Sequence, residues 1–133
     1  MLLDTSGLLC LHSRSEALHM EACAWFDAAT TRVTHNYVLA EFVALAESRG
    51  VPRSGVLEFL ADLRASPEIE LVWIDPATHI EAELLLNARL DKTYSLCDAV
   101  SFVLMNRLGI REALTTDRHF DQEGFHRLLS RTA

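Results

Sequence analysis

The chain has 133 residues and a mass of 14.9 kDa, with 50% hydrophobic and 23% charged residues. That composition excludes a disordered chain and leaves room for one domain with a real core, but not for a second. With 19 acids against 12 bases the net charge is −7, which argues against a broad phosphate-binding face unless bound cations neutralise some of the acids.

Met1, Leu2 and Leu3 read as a short buried strand that ends on the carboxylate of Asp4. Residues 15–29 carry Leu18, Ala22, Trp25, Phe26 and Ala29 at helical spacing. TRVTHN gives a brief strand or turn, and a helix follows through YVLAEFVALAESR with Gly50 as its stop. Pro52 opens a further helix within VPRSGVLEFLADLRASP, and EIELVWI at 68–74 is strand-like. Pro76 begins the helix through THIEAELLLNARL, and SLCDAVSFVLMNRLG is a helix ended by Gly109. EALT is then a strand and FHRLL a weak final one. Short buried strands alternating with helices predict an α/β architecture, a parallel sheet flanked on both faces, because parallel strands need crossover connections. Such sheets place their sites outside the carboxyl ends of the strands, where Asp4 falls.

The remaining composition narrows the chemistry. Cys10, Cys23 and Cys97 are odd in number and lack CxxC spacing, so they read as buried thiols, and the six histidines never form an HxxxH pair that would suggest structural zinc. Apolar runs such as AVSFVLM fall far short of the roughly 20 residues of a membrane span, and an acid at position 4 does not suit a signal peptide. No membrane association and a cytoplasmic location are therefore expected. Eleven of the 12 bases are arginine, with Lys92 the single lysine.

Several acids sit where a charge needs a reason. Asp117 repeats the pattern of Asp4, following the strand-like EALT and two threonines, so two strands deliver a carboxylate to one sheet edge. Either residue alone is explained by a helix cap or turn. Asp98 opens a helix apolar almost all round and projects between Met105 and Phe102, although Ser95 three residues earlier also allows a capping box. Glu41 lies on the flank of the stripe formed by Val38, Phe42 and Leu45, while Glu47 falls on the solvated side of the same helix. Two carboxylates about 4 Å apart repel by roughly 4 kcal/mol at an effective dielectric of 20, so a cluster of such groups takes up protons or holds a divalent cation. Oxygen-only ligands select Mg²⁺ or Mn²⁺, which activates water against a phosphodiester. With four of the 19 acids assigned to cation binding, 15 remain against 12 bases, a balance of −3.

The order LLDTS, a glutamate in a mid-chain helix, SLCDAVSFVLM and then LTTDRHFDQEGF closely resembles the PIN-domain nucleases, and among them the VapC-type toxins of prokaryotic toxin-antitoxin pairs. The resemblance runs from Asp4 to about Leu128. It implies a single three-layer α/β/α domain over residues 1–133 and an acidic quartet of Asp4, Glu41, Asp98 and Asp117, supported by the hydroxyls of Ser6 and Thr116. Asn36 matches a polar position near the pocket, Asp121 a fifth acid, and Arg118 is a candidate phosphate contact. The implied activity is a Mg²⁺- or Mn²⁺-dependent endoribonuclease leaving 5′-phosphate and 3′-hydroxyl ends, with an RNA substrate, a cognate antitoxin and a homodimeric assembly. The competing reading is a non-catalytic PIN-like module that binds a partner protein. A phosphoryl-transfer enzyme with an aspartyl nucleophile fits less well, since Lys92 does not follow a strand and no DxD follows the first one.

Overall fold

Leu2 and Leu3, two fully buried residues, form β1 and occupy the middle of a five-stranded sheet. The computed structural model describes residues 1–130. After β1 (Leu2–Leu3) the chain runs through α1 (Thr5–His12), α2 (His19–Ala28), β2 (Val33–His35), α3 (Asn36–Ser48), α4 (Arg53–Ala65) and β3 (Glu70–Val72). It continues through α5 (Pro76–Asn87), α6 (Leu96–Leu108), β4 (Glu112–Leu114), α7 (Arg118–Gln122) and β5 (His126–Arg127).

The strand order is β3-β2-β1-β4-β5 and every pairing is parallel, as the alternation of strands and helices predicts. Consecutive strands step outward from β1 to β3, and the chain then returns across β1 to lay down β4 on its other side. This reversal makes the β1–β4 boundary a topological switch point, where the connections leave the sheet in opposite directions and open a crevice.

Side-chain alternation along the strands sorts the core into two faces. Leu3 and Leu114 point to one face, packed with Leu8, Val38, Phe42, Ala46 and Val56 from α1, α3 and α4. Leu2 and Ala113 point to the other, against Phe102, Met105 and Phe120 from α6 and α7. The register Leu2↔Ala113 and Leu3↔Leu114 keeps the two faces in step.

Two helices go beyond the sequence expectations. Residues 5–12 form α1, although Thr5 and Gly7 are poor helix formers. Gly7 is there for contact: a Cβ on it would lie 2.0 Å from the carbonyl oxygen of Leu114, so only glycine lets α1 press against β4. The five-residue α7 follows Asp117, which is too short a helix to leave a periodic signal. Elsewhere the boundaries tighten. The helix expected over 15–29 begins at His19, and the strand expected over 68–74 is confined to Glu70–Val72.

No helix among the described residues is long and apolar enough to cross a membrane. None of the three cysteines forms a disulfide.

Substituting Gly7→Ala forces α1 off β4 and should destabilise the protein by about 1–3 kcal/mol, as overpacking against backbone does. Thermal denaturation reads this directly, and an unchanged melting temperature would contradict the close approach.

Candidate active site

The switch point gathers three carboxylates from three elements. Asp4 follows β1, Asp117 follows β4 through Thr115 and Thr116, and Asp98 lies in the first turn of α6. Asp4 and Asp98 are buried, and Asp117 is half-buried.

Asp4 stands at the N-cap position of α1, yet its side chain caps nothing. Its Oδ2 instead accepts a 2.7 Å hydrogen bond from the Thr115 hydroxyl. Because that hydroxyl has one proton, the 3.1 Å contact between Ser6 Oγ and Thr115 Oγ1 must be donated by Ser6. Ser6 in turn accepts from the backbone N–H of Thr116 at 2.9 Å, and the N–H of Asp117 donates to Thr115 Oγ1 at 3.0 Å. A directed chain thus runs from the Thr116 amide through Ser6 and Thr115 to Asp4. The hydroxyl that touches Asp4 belongs to Thr115; Thr116, named from the sequence, is exposed and contributes its backbone.

Asp98 has two roles at once. The capping box with Ser95 is present, with Asp98 N–H to Ser95 Oγ and Ser95 N–H to Asp98 Oδ2 both at 3.0 Å. The same Oδ2 lies 2.9 Å from Nδ1 of His119, and that nitrogen is 3.3 Å from Oδ1 of Asp117. Asp117 caps α7 by accepting from the N–H of His119 at 2.9 Å. Ligand atoms of Asp98, Asp117 and His119 all lie within 4.8 Å of one another. His119 was not singled out in the sequence. Its signal was its place in TTDRHF, two residues past an acid at the start of a short helix.

Glu41 projects from the exposed flank of α3, outside that 4.8 Å group, as is Asp4. Its charge still reaches inward, since it pushes up both Asp4 and the Cys97 thiol. His35 fixes the geometry between α3 and α6. Fully buried at the end of β2, its Nδ1 accepts from the N–H of Val38 while Nε2 meets Ser101 Oγ at 2.8 Å. Burial lowers its pKa to about 4, so it is a neutral strut between the helices that carry Glu41 and Asp98.

The other candidates lie to the side. Asn36 uses Oδ1 to accept the N–H of Ile74 at 2.7 Å, tying the end of β3 to α3. Asp121 is exposed and pairs with Arg127 at 2.9 Å. Arg118 is exposed and takes part in no ion pair among the described residues. It lines a cavity of about 400 Å³ beside the acids, together with Ser6, Thr116, Arg49 and Arg127.

Burial and mutual repulsion disfavour ionisation of two of the acids. Burial pushes the pKa of Asp4 from 3.8 up to about 7, and the charges of Asp98 and Glu41 add to this against the opposing bonds from Thr115 and Thr5. Asp98 is raised too, first by burial and then by Asp117, with Ser95 and His119 opposing. Cys97, next to Asp98, is pushed well up by burial and by Glu41, Asp4 and Asp98, so it is an inert thiol rather than a nucleophile. Asp4 Oδ1 is buried without a hydrogen-bond partner. An orphaned carboxylate oxygen beside further carboxylates is a donor set that suits a hard divalent cation.

Comparison with known proteins gives consistent results. The PIN-domain sequence profile matches residues 1–125. The chain is 29% identical over 123 residues to the 23S rRNA-specific endonuclease VapC20 of Mycobacterium tuberculosis, from two strains, covering 92% of each chain. It is also similar to the crystal structure of Mycobacterium tuberculosis VapC20, described as a sarcin-ricin loop cleaving toxin. The TM-score is 0.84 at 26% identity, and the match covers 93% of this chain and 95% of that one.

The raised carboxyl of Asp4 has a definite sign. Its contribution to stability is full below pH 3.8, where it is neutral folded or unfolded, and is lost as pH rises through about 7, since ionisation is disfavoured only in the fold. Each pH unit across that window amounts to about 1.4 kcal/mol. In chelator, Asp4→Asn should therefore be more stable than the wild type at pH 8, by a few kcal/mol, with the difference vanishing toward pH 4. Urea denaturation of both proteins across this range checks it, and a gap that is constant with pH would contradict the assignment.

Proposed function

We propose that this chain, which belongs to the PIN-domain family, is a divalent-cation-dependent endoribonuclease, a single PIN domain acting in the cytoplasm as the toxin of a type II toxin-antitoxin pair. The strongest support is the grouping of Asp98 and Asp117 with His119 next to a buried Asp4 whose Oδ1 is orphaned and whose ionisation Asp98 disfavours. Caps and turns account for Asp98 and Asp117 singly, but they leave Asp4 without a purpose.

Asp4, Asp98 and Asp117 would hold a Mg²⁺ or Mn²⁺ ion, with Glu41 completing the pocket from α3. When bound, the cation offsets phosphodiester charge and lowers the pKa of water toward neutrality. The chain's own groups do the positioning. Thr115 orients Asp4 and, through its accepted bond from Asp117 N–H, locks the two acids to one hydroxyl. Ser6 and the Thr116 amide hold that hydroxyl in turn. His35 and Ser101 tie together the helices that carry Glu41 and Asp98.

The acidic balance of the chain leaves few routes for RNA, and the cavity beside the acids supplies one. Arg49 is paired with Glu16 at 3.0 Å and Arg127 with Asp121, which leaves the unpaired Arg118 as the phosphate contact at its mouth. Ribosomal RNA is the substrate to test first, given the relatives' name. A cognate antitoxin would cover the pocket with a helix or an extended segment. A homodimer would use an apolar face such as that of Ile80 and Leu84, exposed one turn apart on α5.

Incubation of the purified chain with total RNA should give discrete cuts that chelator abolishes. Asp98→Asn should lower cleavage roughly a thousand-fold or more, the loss of several kcal/mol of charge stabilisation. Its melting temperature should hold, because an amide oxygen still accepts the Ser95 N–H of the capping box. Full activity of that variant, or cleavage indifferent to chelator, would refute the metal-site assignment, and no cleavage by the wild type with either ion would favour the non-catalytic protein-binding module instead.

A further inference from the structure

We propose that His119 is itself a ligand of the cation, through Nδ1, and that this nitrogen biases the site toward Mn²⁺ and similar borderline ions over Mg²⁺. The inference rests on the metal-dependent reading above and adds a residue and a selectivity to it.

Three observations carry it. First, Nδ1 stands 2.9 Å from Asp98 Oδ2 and 3.3 Å from Asp117 Oδ1. Neighbouring ligands at about 2.1 Å from an octahedral ion are about 3.0 Å apart, so these separations suit shared coordination as well as hydrogen bonding. Second, the other ring nitrogen has its own partner, because Nε2 lies 3.0 Å from Thr93 Oγ1. Without the cation Nδ1–H donates to Asp98 Oδ2, since a carboxylate oxygen only accepts; with the cation bound, the ring proton would sit on Nε2 and donate to Thr93 Oγ1, which frees the Nδ1 lone pair for the ion. A ligating histidine is held in its tautomer by such an outer acceptor. Tyr94 adds an edge contact at 5.3 Å between ring centroids, which limits rotation of the imidazole. Third, His119 is the basic side chain that two of the acids share: it pairs with Asp98 and Asp117, while Asp4 Oδ1 is buried and unpartnered, and neither Lys92 nor any arginine forms an ion pair with the three acids among the described residues.

Imidazole is a good ligand for borderline transition ions, whereas Mg²⁺ takes oxygen ligands almost exclusively and keeps several waters. A site of carboxylates plus one imidazole therefore separates the two ions more than carboxylates alone do.

Pulsed electron paramagnetic resonance of Mn²⁺ added to the full, metal-free chain tests this without any activity measurement. The wild-type spectrum should show modulation from a directly bound ¹⁴N, which His119→Gln should abolish while leaving Mn²⁺ bound more weakly. Calorimetry should show the preference for Mn²⁺ over Mg²⁺ falling about ten-fold in that variant. Thr93→Val should keep the ¹⁴N signal and weaken Mn²⁺ about ten-fold, as loss of an outer-shell partner does. Mn²⁺ binding with no ¹⁴N modulation in the wild type would overturn the ligand assignment and leave the metal-dependent nuclease intact. Failure of the chain to bind either ion would overturn both.

Discussion

A carboxylate buried at the end of the central strand is the constraint around which the rest of the site is arranged. Asp4 is 3% exposed, and its ionisation is disfavoured first by burial and then by the neighbouring charges of Asp98 and Glu41. Left alone, such a group protonates or loosens the fold. The opposing bonds from Thr115 and the Thr5 backbone are outweighed by burial, and no cationic side chain pairs with it among the described residues. Compensation for such a group comes most readily from outside the chain, and in the proposed function a divalent cation would supply it.

The topology makes that concentration of charge achievable. Asp4 and Thr115 are 111 positions apart, yet β1 and β4 are adjacent and in register, so the residues that follow them leave the sheet side by side. Gly7 permits α1 to close against β4, which brings Ser6 within reach of Thr115. On the opposite flank, α6 enters with Asp98 fixed by its capping box and by His119. Packing on the two faces of the sheet therefore sets the spacing of the acids, and the capping bonds set their orientation.

Much of the fold was legible because strands and helices leave periodic apolar signals, and the three acids at element starts stood out against their apolar surroundings. Details that depend on contact rather than on pattern were not. TTD offers two adjacent hydroxyls, and nothing local to the sequence shows that Thr115 points inward to Asp4 while Thr116 turns to solvent; strand alternation at β4 decides it. α1 lay hidden because Gly7 reads as a helix breaker until the Leu114 carbonyl beside it is seen. His119 escaped notice since its partners, Asp98 and Thr93, come from the other side of the α6 crossover. Asp121, a fifth acid implied by the resemblance, pairs with Arg127 on β5, a contact that no local pattern in the sequence signals.

The central claim is that Asp4, Asp98 and Asp117 share one cation, and anomalous diffraction from crystals grown with Mn²⁺ tests it most directly. The expected result is a manganese peak at the carboxyl end of β1 and β4, within coordination distance of all three acids. A well-ordered site with no peak, or a peak bound elsewhere while Asp4 remains buried and unliganded, would contradict it.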